Sequence, residues 1–218
     1  RQTQIDFPDK KYLGQVNKDG EPHGQGSYIH TKDGINKDDK YEGEFANGMK
    51  EGTGTYTWVN GDKFTGQFKK NLRIEGTYTW VNGDKFTGQY KNDEVHYGSN
   101  YLIEGHTYKG YFKNGKWHGQ GHYTWKNGDT FEGQFKMGLR SEGTYTHING
   151  DKFIGQYKNG KLHYGTYYLK SFGDTYKGYF KNDKRHGQGH YTWKNGDVYE
   201  GQWENEWQHD QGTWTYKT

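Results

Sequence analysis

The sequence predicts an all-β protein: an elongated, single, twisted antiparallel sheet made of repeated β-hairpins. Three observations predict this fold. An aromatic–x–Gly–x–aromatic motif recurs from end to end, and Asn-Gly dipeptides lie between its copies. The 218 residues also include 35 Gly but a single Ala, which is the best helix former. With 18% aromatic residues and a net charge of +3, the chain lacks the composition of a disordered protein, and its core has to consist of rings.

The recurring motif divides the chain into repeats. Its spacing is 22 or 23 residues, except for a first interval of 29, because about six extra residues lie around Asp33 to Lys40. We therefore expect a lead-in over residues 1–11 and one domain of nine repeats over residues 12–218. Residues 64–130 and 131–198 are nearly identical, so three repeats form a duplicated block. The nine repeats begin at Tyr12, Tyr41, Phe64, Phe86, Tyr108, Phe131, Phe153, Tyr176 and Tyr199.

Each repeat contains two short strands, about 18 in all for nine repeats. In the first strand of the second repeat, period-two alternation places Tyr41, Gly43 and Phe45 on one face, and residues 55–58 (TYTW) alternate likewise. The glycine between the two aromatics indicates a gap that a ring fills, and we expect the rings of one repeat to lie over the glycines of the next as an aromatic ladder.

Asn-Gly dipeptides supply the turns between these strands. Asn-Gly favours the two positive φ angles of a type I′ hairpin turn, so we expect this turn type at each dipeptide. The dipeptides are Asn47-Gly48, Asn60-Gly61, Asn82-Gly83, Asn114-Gly115, Asn127-Gly128, Asn149-Gly150, Asn159-Gly160 and Asn195-Gly196.

The combined pattern, Tyr-x-Gly-x-Phe-x-Asn-Gly-x-x-x-Gly-x-Gly at 41–54, recurs with small changes at 108–121 and 176–189 and resembles the MORN (membrane occupation and recognition nexus) repeat. Repeats that begin at Phe64, Phe86, Phe131 and Phe153 depart from it in the Gly-x-Gly step. The resemblance implies a twisted sheet with a groove, and a cytoplasmic role in protein–protein scaffolding that is often cytoskeletal or membrane-adjacent.

No residue pattern predicts catalysis, a cofactor or a metal site. The four Ser residues fall at unrelated repeat phases, and no Cys is present. His118 and His122, like His186 and His190, have a spacing that converges on a helix, but they lie in turns and strands. We therefore expect a chain that is not an enzyme.

Two rows of residues are candidate interaction surfaces. A basic row follows the second aromatic of six successive repeats and could meet an acidic protein or, weakly and in a salt-sensitive way, anionic lipid; nucleic acid is not expected. The basic row comprises Lys69, Lys91, Lys113, Lys136, Lys158 and Lys181. A Gln-rich row on the face away from the ladder is interrupted by tyrosines that could anchor a protein partner. Its candidate residues are Gln67, Gln89, Tyr111, Gln134, Gln156 and Tyr179.

The last strand predicts self-association. Residues 212–217 form a good strand sequence without Pro or an acidic residue, and an uncovered edge strand is a template for pairing. We expect a homodimer or a head-to-tail assembly through Trp214, Thr215 and Tyr216, and the resemblance agrees, because MORN proteins tend to dimerise through their C-terminal repeats.

The favoured function is a non-enzymatic scaffold that presents a groove to a peptide or helix of a protein partner. A targeting or regulatory segment of a larger enzyme, such as a lipid kinase or a methyltransferase, is an alternative, and so is a surface for anionic lipid. A carbohydrate- or choline-binding repeat is a third class. It fits less well, because repeats of that class contain doublets of adjacent aromatic residues. In this chain aromatic and polar residues alternate, as in Tyr56-Thr57-Trp58.

Overall fold

The computed structural model describes residues 2–32, 34 and 36–218, so the extra residues around Asp33 to Lys40 are described only in part. All regular structure in these ranges is β-strand. In the part of the chain that is described, no helix is long and apolar enough to cross a membrane. The chain divides into an N-terminal unit, Arg1–Glu104, and a C-terminal unit, Gly105–Thr218.

Each unit is an open antiparallel sheet of sequential hairpins, which confirms the predicted fold class. The strands of the N-terminal unit are β1 (Thr3–Asp6), β2 (Lys10–Val16), β3 (Pro22–His30), β4 (Lys40–Ala46), β5 (Met49–Thr57), β6 (Lys63–Lys69), β7 (Leu72–Thr79), β8 (Lys85–Lys91) and β9 (Glu94–Tyr101). The strands of the C-terminal unit are β10 (Thr107–Lys113), β11 (Lys116–Thr124), β12 (Thr130–Lys136), β13 (Leu139–Thr146), β14 (Lys152–Lys158), β15 (Lys161–Leu169), β16 (Asp174–Lys181), β17 (Lys184–Thr192), β18 (Val198–Glu204) and β19 (Trp207–Thr215).

The lead-in supplies a strand of its own. β1 pairs antiparallel with β2, and Ile5 lies opposite Tyr12. The first repeat therefore has a neighbour on its N-terminal side.

The register within a hairpin explains why Gly lies between the aromatics. In the β4–β5 hairpin, Tyr41 lies opposite Tyr56, and Gly43 lies opposite Gly54. The ring of Tyr41 covers this glycine pair: a Cβ added at Gly54 would lie 2.6 Å from Cε2 of Tyr41. The predicted cover by a ring of the neighbouring repeat is therefore wrong, because each ring lies over the glycines of its own hairpin.

Two turn types alternate along the chain. Asn47-Gly48, Asn114-Gly115 and Asn159-Gly160 have positive φ at both residues, as predicted for type I′ turns. In the other five Asn-Gly dipeptides only the Gly has positive φ, so the type I′ prediction is wrong for them. There, as at Gly61, the Gly amide donates to the carbonyl three residues earlier, which is the geometry of a type I turn that ends in a left-handed Gly.

A loop aspartate joins each of several repeats to the next. Asp129 accepts a hydrogen bond from the Tyr145 hydroxyl at 2.7 Å and from the Ile148 amide at 2.9 Å. Asp39, Asp62 and Asp174 make the same two kinds of hydrogen bond. The hydrogen bonds from Tyr145 and Ile148 hold the pKa of the Asp129 carboxyl below its usual value, although burial acts in the opposite direction.

An Asp129→Asn substitution should lower the free energy of unfolding at neutral pH by about 1–2 kcal/mol, because two charge-assisted hydrogen bonds are weakened. A depressed folded-state pKa stabilises the protein above the unfolded pKa of about 4, and this contribution disappears as the pH falls through the folded value. The difference between wild type and variant should therefore shrink in acid. Urea titrations from neutral pH to about pH 2 test this; an Asp19→Asn variant, changed at an exposed loop position, is the control. A constant difference at all pH values would contradict the assignment.

Candidate binding face

Two rings of each repeat from Tyr41 onward build the ladder face of each sheet, the face to which Tyr41 and Phe45 point; the first repeat has Tyr12 and, in place of the second ring, Val16. The first ring is almost completely buried in eight of the repeats, with at most 1% of its surface exposed, at Tyr12, Tyr41, Phe64, Phe86, Tyr108, Phe131, Phe153 and Tyr176. The second ring connects neighbouring repeats. Phe68 lies 5.2 Å from Phe64 of its own repeat and 5.1 Å from Tyr41 of the preceding one, edge-on to both. Edge-to-face packing at these distances is favourable between aromatic rings.

Basic side chains cover these rings at one fixed position of the repeat. Opposite the second ring, on the return strand, lies Lys50 in the second repeat and Arg73 in the third. The Lys50 Nζ is 4.7 Å from the Tyr56 ring centre and 5.2 Å from that of Phe68. Arg140 and Arg185 repeat the arrangement in the C-terminal unit, at 4.8 Å from Tyr157 and from Trp203.

The basic groups differ in their charge partners. Arg73 Nε lies 2.8 Å from Asp93 Oδ1, and Arg185 Nε lies 2.8 Å from Glu206 Oε2. Both carboxylates belong to the turn of the following repeat. Lys50 makes no ion pair with any residue that the structure describes, and burial among the rings lowers its pKa to about 8. Lys50 is thus a cation that has lost part of its hydration and that the Asp93 carboxylate attracts without forming an ion pair.

Cavities open on the ladder face around these groups. In the N-terminal unit, cavities of about 470 and 300 Å³ share Tyr28, Lys50 and Asn71 in their walls. We call the two together the aromatic trough, lined by Phe7, Tyr12, Tyr28, His30, Phe45, Lys50, Tyr56, Trp58, Phe68, Arg73 and Asp93 among others. In the C-terminal unit, a cavity of about 260 Å³ is lined by Tyr176, Phe180 and Arg185.

The predicted Gln-rich row lies on the outer face, which is the face away from the ladder. In the C-terminal unit Gln134 and Gln156 flank Glu142 on neighbouring strands, and Tyr164 lies opposite both Gln156 and Tyr179. In the N-terminal unit Gln67 and Gln89 flank Glu75 in the same way. Tyr111 and Tyr179 are each 47% exposed. The structure therefore brings the Gln positions together with acidic and aromatic residues that the sequence pattern did not include.

The predicted basic row is exposed throughout, at Lys69, Lys91, Lys113, Lys136, Lys158 and Lys181. Three of its members face a second lysine across the hairpin: Lys113 opposes Lys116, Lys158 opposes Lys161, and Lys181 opposes Lys184. Positive charge is thus concentrated at the turns of the C-terminal unit.

At the C-terminal strand, all of β19 is exposed, and among the described strands it pairs with β18 alone. Trp214 stacks on Trp193 at 5.0 Å and on Tyr216 at 6.1 Å between ring centres. Thr215 lies opposite Val198. Within the described ranges no group of three His, Cys, Asp or Glu side chains could hold a metal ion.

The basic position over the rings was not predicted from the sequence. Lys50, Arg73, Arg140 and Arg185 each lie five residues after the second aromatic, so a repeat-by-repeat alignment shows the position as basic in four repeats. What the alignment lacks is the bulge between Gly43 and Phe45 that places Lys50 opposite Phe45. The basic row that we did predict lies on the other face.

Comparison with known proteins identifies the repeat. The family model of the MORN repeat matches residues 12–34, 41–63, 75–85, 108–130, 131–152, 153–171 and 176–198. Six of the seven segments begin at predicted repeat starts; the starts at Phe64, Phe86 and Tyr199 have no match of their own.

Individual relatives match a smaller part of the chain than the family model does. Alsin of Mus musculus and Alsin of Homo sapiens are each 32% identical over 69 residues, which are 32% of this chain and 4% of Alsin. The chain thus spans a small part of the curated relatives it matches. Among solved structures, a mutant of the TCP10 domain of Danio rerio CPAP aligns over 97% of this chain and 98% of that one, at 10% identity and a TM-score of 0.37. The matched MORN segments cover about two thirds of the chain, and the chain belongs to the MORN repeat family.

Proposed function

We propose that this chain is a non-enzymatic interaction module that binds a peptide or helix of a protein partner in the aromatic trough. The observation that carries the proposal is Lys50, a partly desolvated cation without an ion-pair partner among the described residues, which lines both cavities of the trough. MORN repeats are often associated with membranes or the cytoskeleton, and a cytoplasmic scaffold in such a setting is the role that fits best.

The chemistry of the trough defines the partner segment. Rigid rings such as Tyr28 and Trp58 provide large contact area at low cost in conformational entropy. A carboxylate beside Lys50 would form an ion pair in a region of reduced hydration, where such pairs are strong. The partner segment should therefore carry an Asp or Glu flanked by apolar or aromatic residues.

The second candidate function is that of a targeting or regulatory segment within a larger enzyme. Such a segment would use the same binding activity. The match covers 4% of Alsin, so a related segment occurs within a much longer protein. The two candidates differ in the sequence that flanks the chain, not in what the trough does.

A display selection tests the trough. Random peptides selected on the chain should combine a carboxylate with apolar residues, and a Lys50→Glu variant should bind them at least about thirtyfold more weakly, because a desolvated charge pair becomes a repulsion. Lys69→Glu, the same charge reversal at an exposed position of the outer face, is the matched control and should bind normally. Selected peptides that bind Lys50→Glu unchanged would contradict the proposal.

We also propose that the chain associates with itself through the free edge of β19. A Thr215→Pro variant removes a strand N–H, whereas Thr215→Val keeps it and retains high strand propensity. Light scattering over a wide range of concentrations should show dimers or larger assemblies for wild type and Thr215→Val, and monomers for Thr215→Pro. Wild-type protein that stays monomeric throughout would refute this assembly.

A further inference from the structure

A cavity of about 520 Å³ in the C-terminal unit joins the two predicted surface rows. Gln134 and Gln156 of the Gln-rich row line it together with Lys136 and Lys158 of the basic row. His118 and His163 complete its polar wall. This cavity belongs to the C-terminal unit, whereas the aromatic trough belongs to the N-terminal unit.

The charges around this cavity are unbalanced. Lys136 and Lys158 are exposed, and neither forms a salt bridge with any residue in the described ranges. Glu142 is the one carboxylate among the described residues that line the cavity. The buried Nδ1 of His118 has no hydrogen-bond partner among the described residues. The walls therefore offer two ammonium groups, two imidazoles and two side-chain amides against a single negative charge.

We propose that this cavity binds a phosphate monoester dianion. Lysine ammonium, imidazole N–H and Gln amide groups are donors that approach from several strands, which suits the three outer oxygens of a phosphate group. Two lysines against one carboxylate leave the cavity with a net positive charge, and a dianion is attracted about twice as strongly as a ligand with a single negative charge. The volume leaves room for the group to which the phosphate is attached.

The duplicated block supplies an internal comparison. The N-terminal copy keeps Gln67, Lys69, Gln89, Lys91 and His96 at the equivalent positions. The residue that corresponds to His118 is Glu51, which precedes the duplicated block and whose Oε2 accepts a hydrogen bond from the Lys70 amide at 2.9 Å; the residue that corresponds to Ser141 is Ile74. A carboxylate thus replaces an imidazole in otherwise similar surroundings. Phosphate binding is therefore assigned to the C-terminal unit alone.

Titration of the full chain with phenyl phosphate, followed by NMR at about pH 7.5, tests the site, because the ester is a dianion above its second pKa of about 6. Shifts should appear at Gln134, Gln156 and His118, and benzoate should not reproduce them. His118→Glu and Lys158→Gln should each weaken binding about tenfold, whereas Glu142→Gln should strengthen it; Glu75→Gln in the N-terminal copy is the matched control and should change nothing. Equal binding of benzoate, or unchanged binding by His118→Glu, would overturn the proposal.

A gain-of-function variant tests the site without relying on loss of binding, which a disturbed fold would also cause. Glu51→His combined with Ile74→Ser should create a second phosphate site in the N-terminal unit, seen as new shifts at Gln67 and Gln89. A doubly changed chain that is folded but shows no such shifts would count against the proposal.

Inorganic phosphate in solution and phosphatidylcholine vesicles containing phosphatidylinositol monophosphate distinguish the source: a site for soluble esters binds the first, and a headgroup site needs the second. Failure to bind phenyl phosphate, inorganic phosphate and these vesicles would refute the site and leave the proposal for the aromatic trough unaffected.

Discussion

Replacing Phe131 by alanine should lower the free energy of unfolding by about 3–5 kcal/mol, the range for removal of a buried phenylalanine ring. None of the Phe131 side chain is exposed. Its ring centre lies 5.2 Å from that of Phe135 and 5.3 Å from that of Tyr157, so the substitution opens a cavity between two repeats. The ring also covers Gly133 and Gly143, which have no side chain to fill the space.

Ile148→Ala is the control for this prediction, because Ile148 is also apolar but 74% exposed. Guanidinium denaturation compares the two variants, and hydrogen exchange shows where stability is lost. In a repeat protein each repeat contacts its neighbours, so the loss of protection should be greatest in β12 to β15. A Phe131→Ala variant no less stable than Ile148→Ala would mean that the ladder does not hold the repeats together.

Gly121→Ala should cost about 3 kcal/mol, the upper part of the usual range for overpacking. A Cβ at this position would lie 2.5 Å from Cε2 and 2.8 Å from Cζ of Tyr108, a ring that is 1% exposed. Tyr108 cannot move away without losing its contacts with Phe112 and Trp117, at 5.3 and 4.8 Å between ring centres. A single methyl group should therefore disturb the whole hairpin.

Gly115→Asn is the matched control within the same hairpin. Gly115 has a φ of 69°, and a Cβ there would have no neighbour within 4 Å. Asn tolerates this left-handed conformation, so the variant should lose only a few tenths of a kcal/mol. Thermal and denaturant unfolding of the two variants measure the difference. Similar losses in both would show that the Tyr108 ring does not exclude a Cβ at Gly121.

The sequence predicted the hairpins and the ladder face well, because period-two alternation determines on which side of a strand Tyr41 and Phe45 lie. It did not predict that the Tyr41 ring lies over Gly43 and Gly54 of its own hairpin. Alternation gives the face of a side chain but not the direction in which the ring leans along the sheet. The turn at Asn60-Gly61 was misassigned for a similar reason, since Asn-Gly fits both a type I′ turn and a type I turn with a final left-handed Gly.

The candidate sites were harder to predict than the fold. The rows that contain Lys136 and Gln134 were visible as regular positions, but their meeting with His118 and His163 at one cavity depends on pairing between strands and on bulges. Lys50 was missed because a turn and a bulge separate it from Phe45, its neighbour across the hairpin. Residues at different positions of the repeat can lie side by side across a hairpin, and these pairs can be predicted only when the strand register is known.

An NMR map of a bound peptide tests the central claim, that the aromatic trough of the N-terminal unit is a binding site for a protein segment. A peptide selected on the chain should shift the indole signal of Trp58 and the backbone signals of Lys50 and Tyr28, and leave those of Lys69 and Gln67 on the outer face unchanged. Binding in the trough predicts this one-sided pattern. Shifts confined to Gln67, Lys69 and their neighbours on the outer face would contradict it.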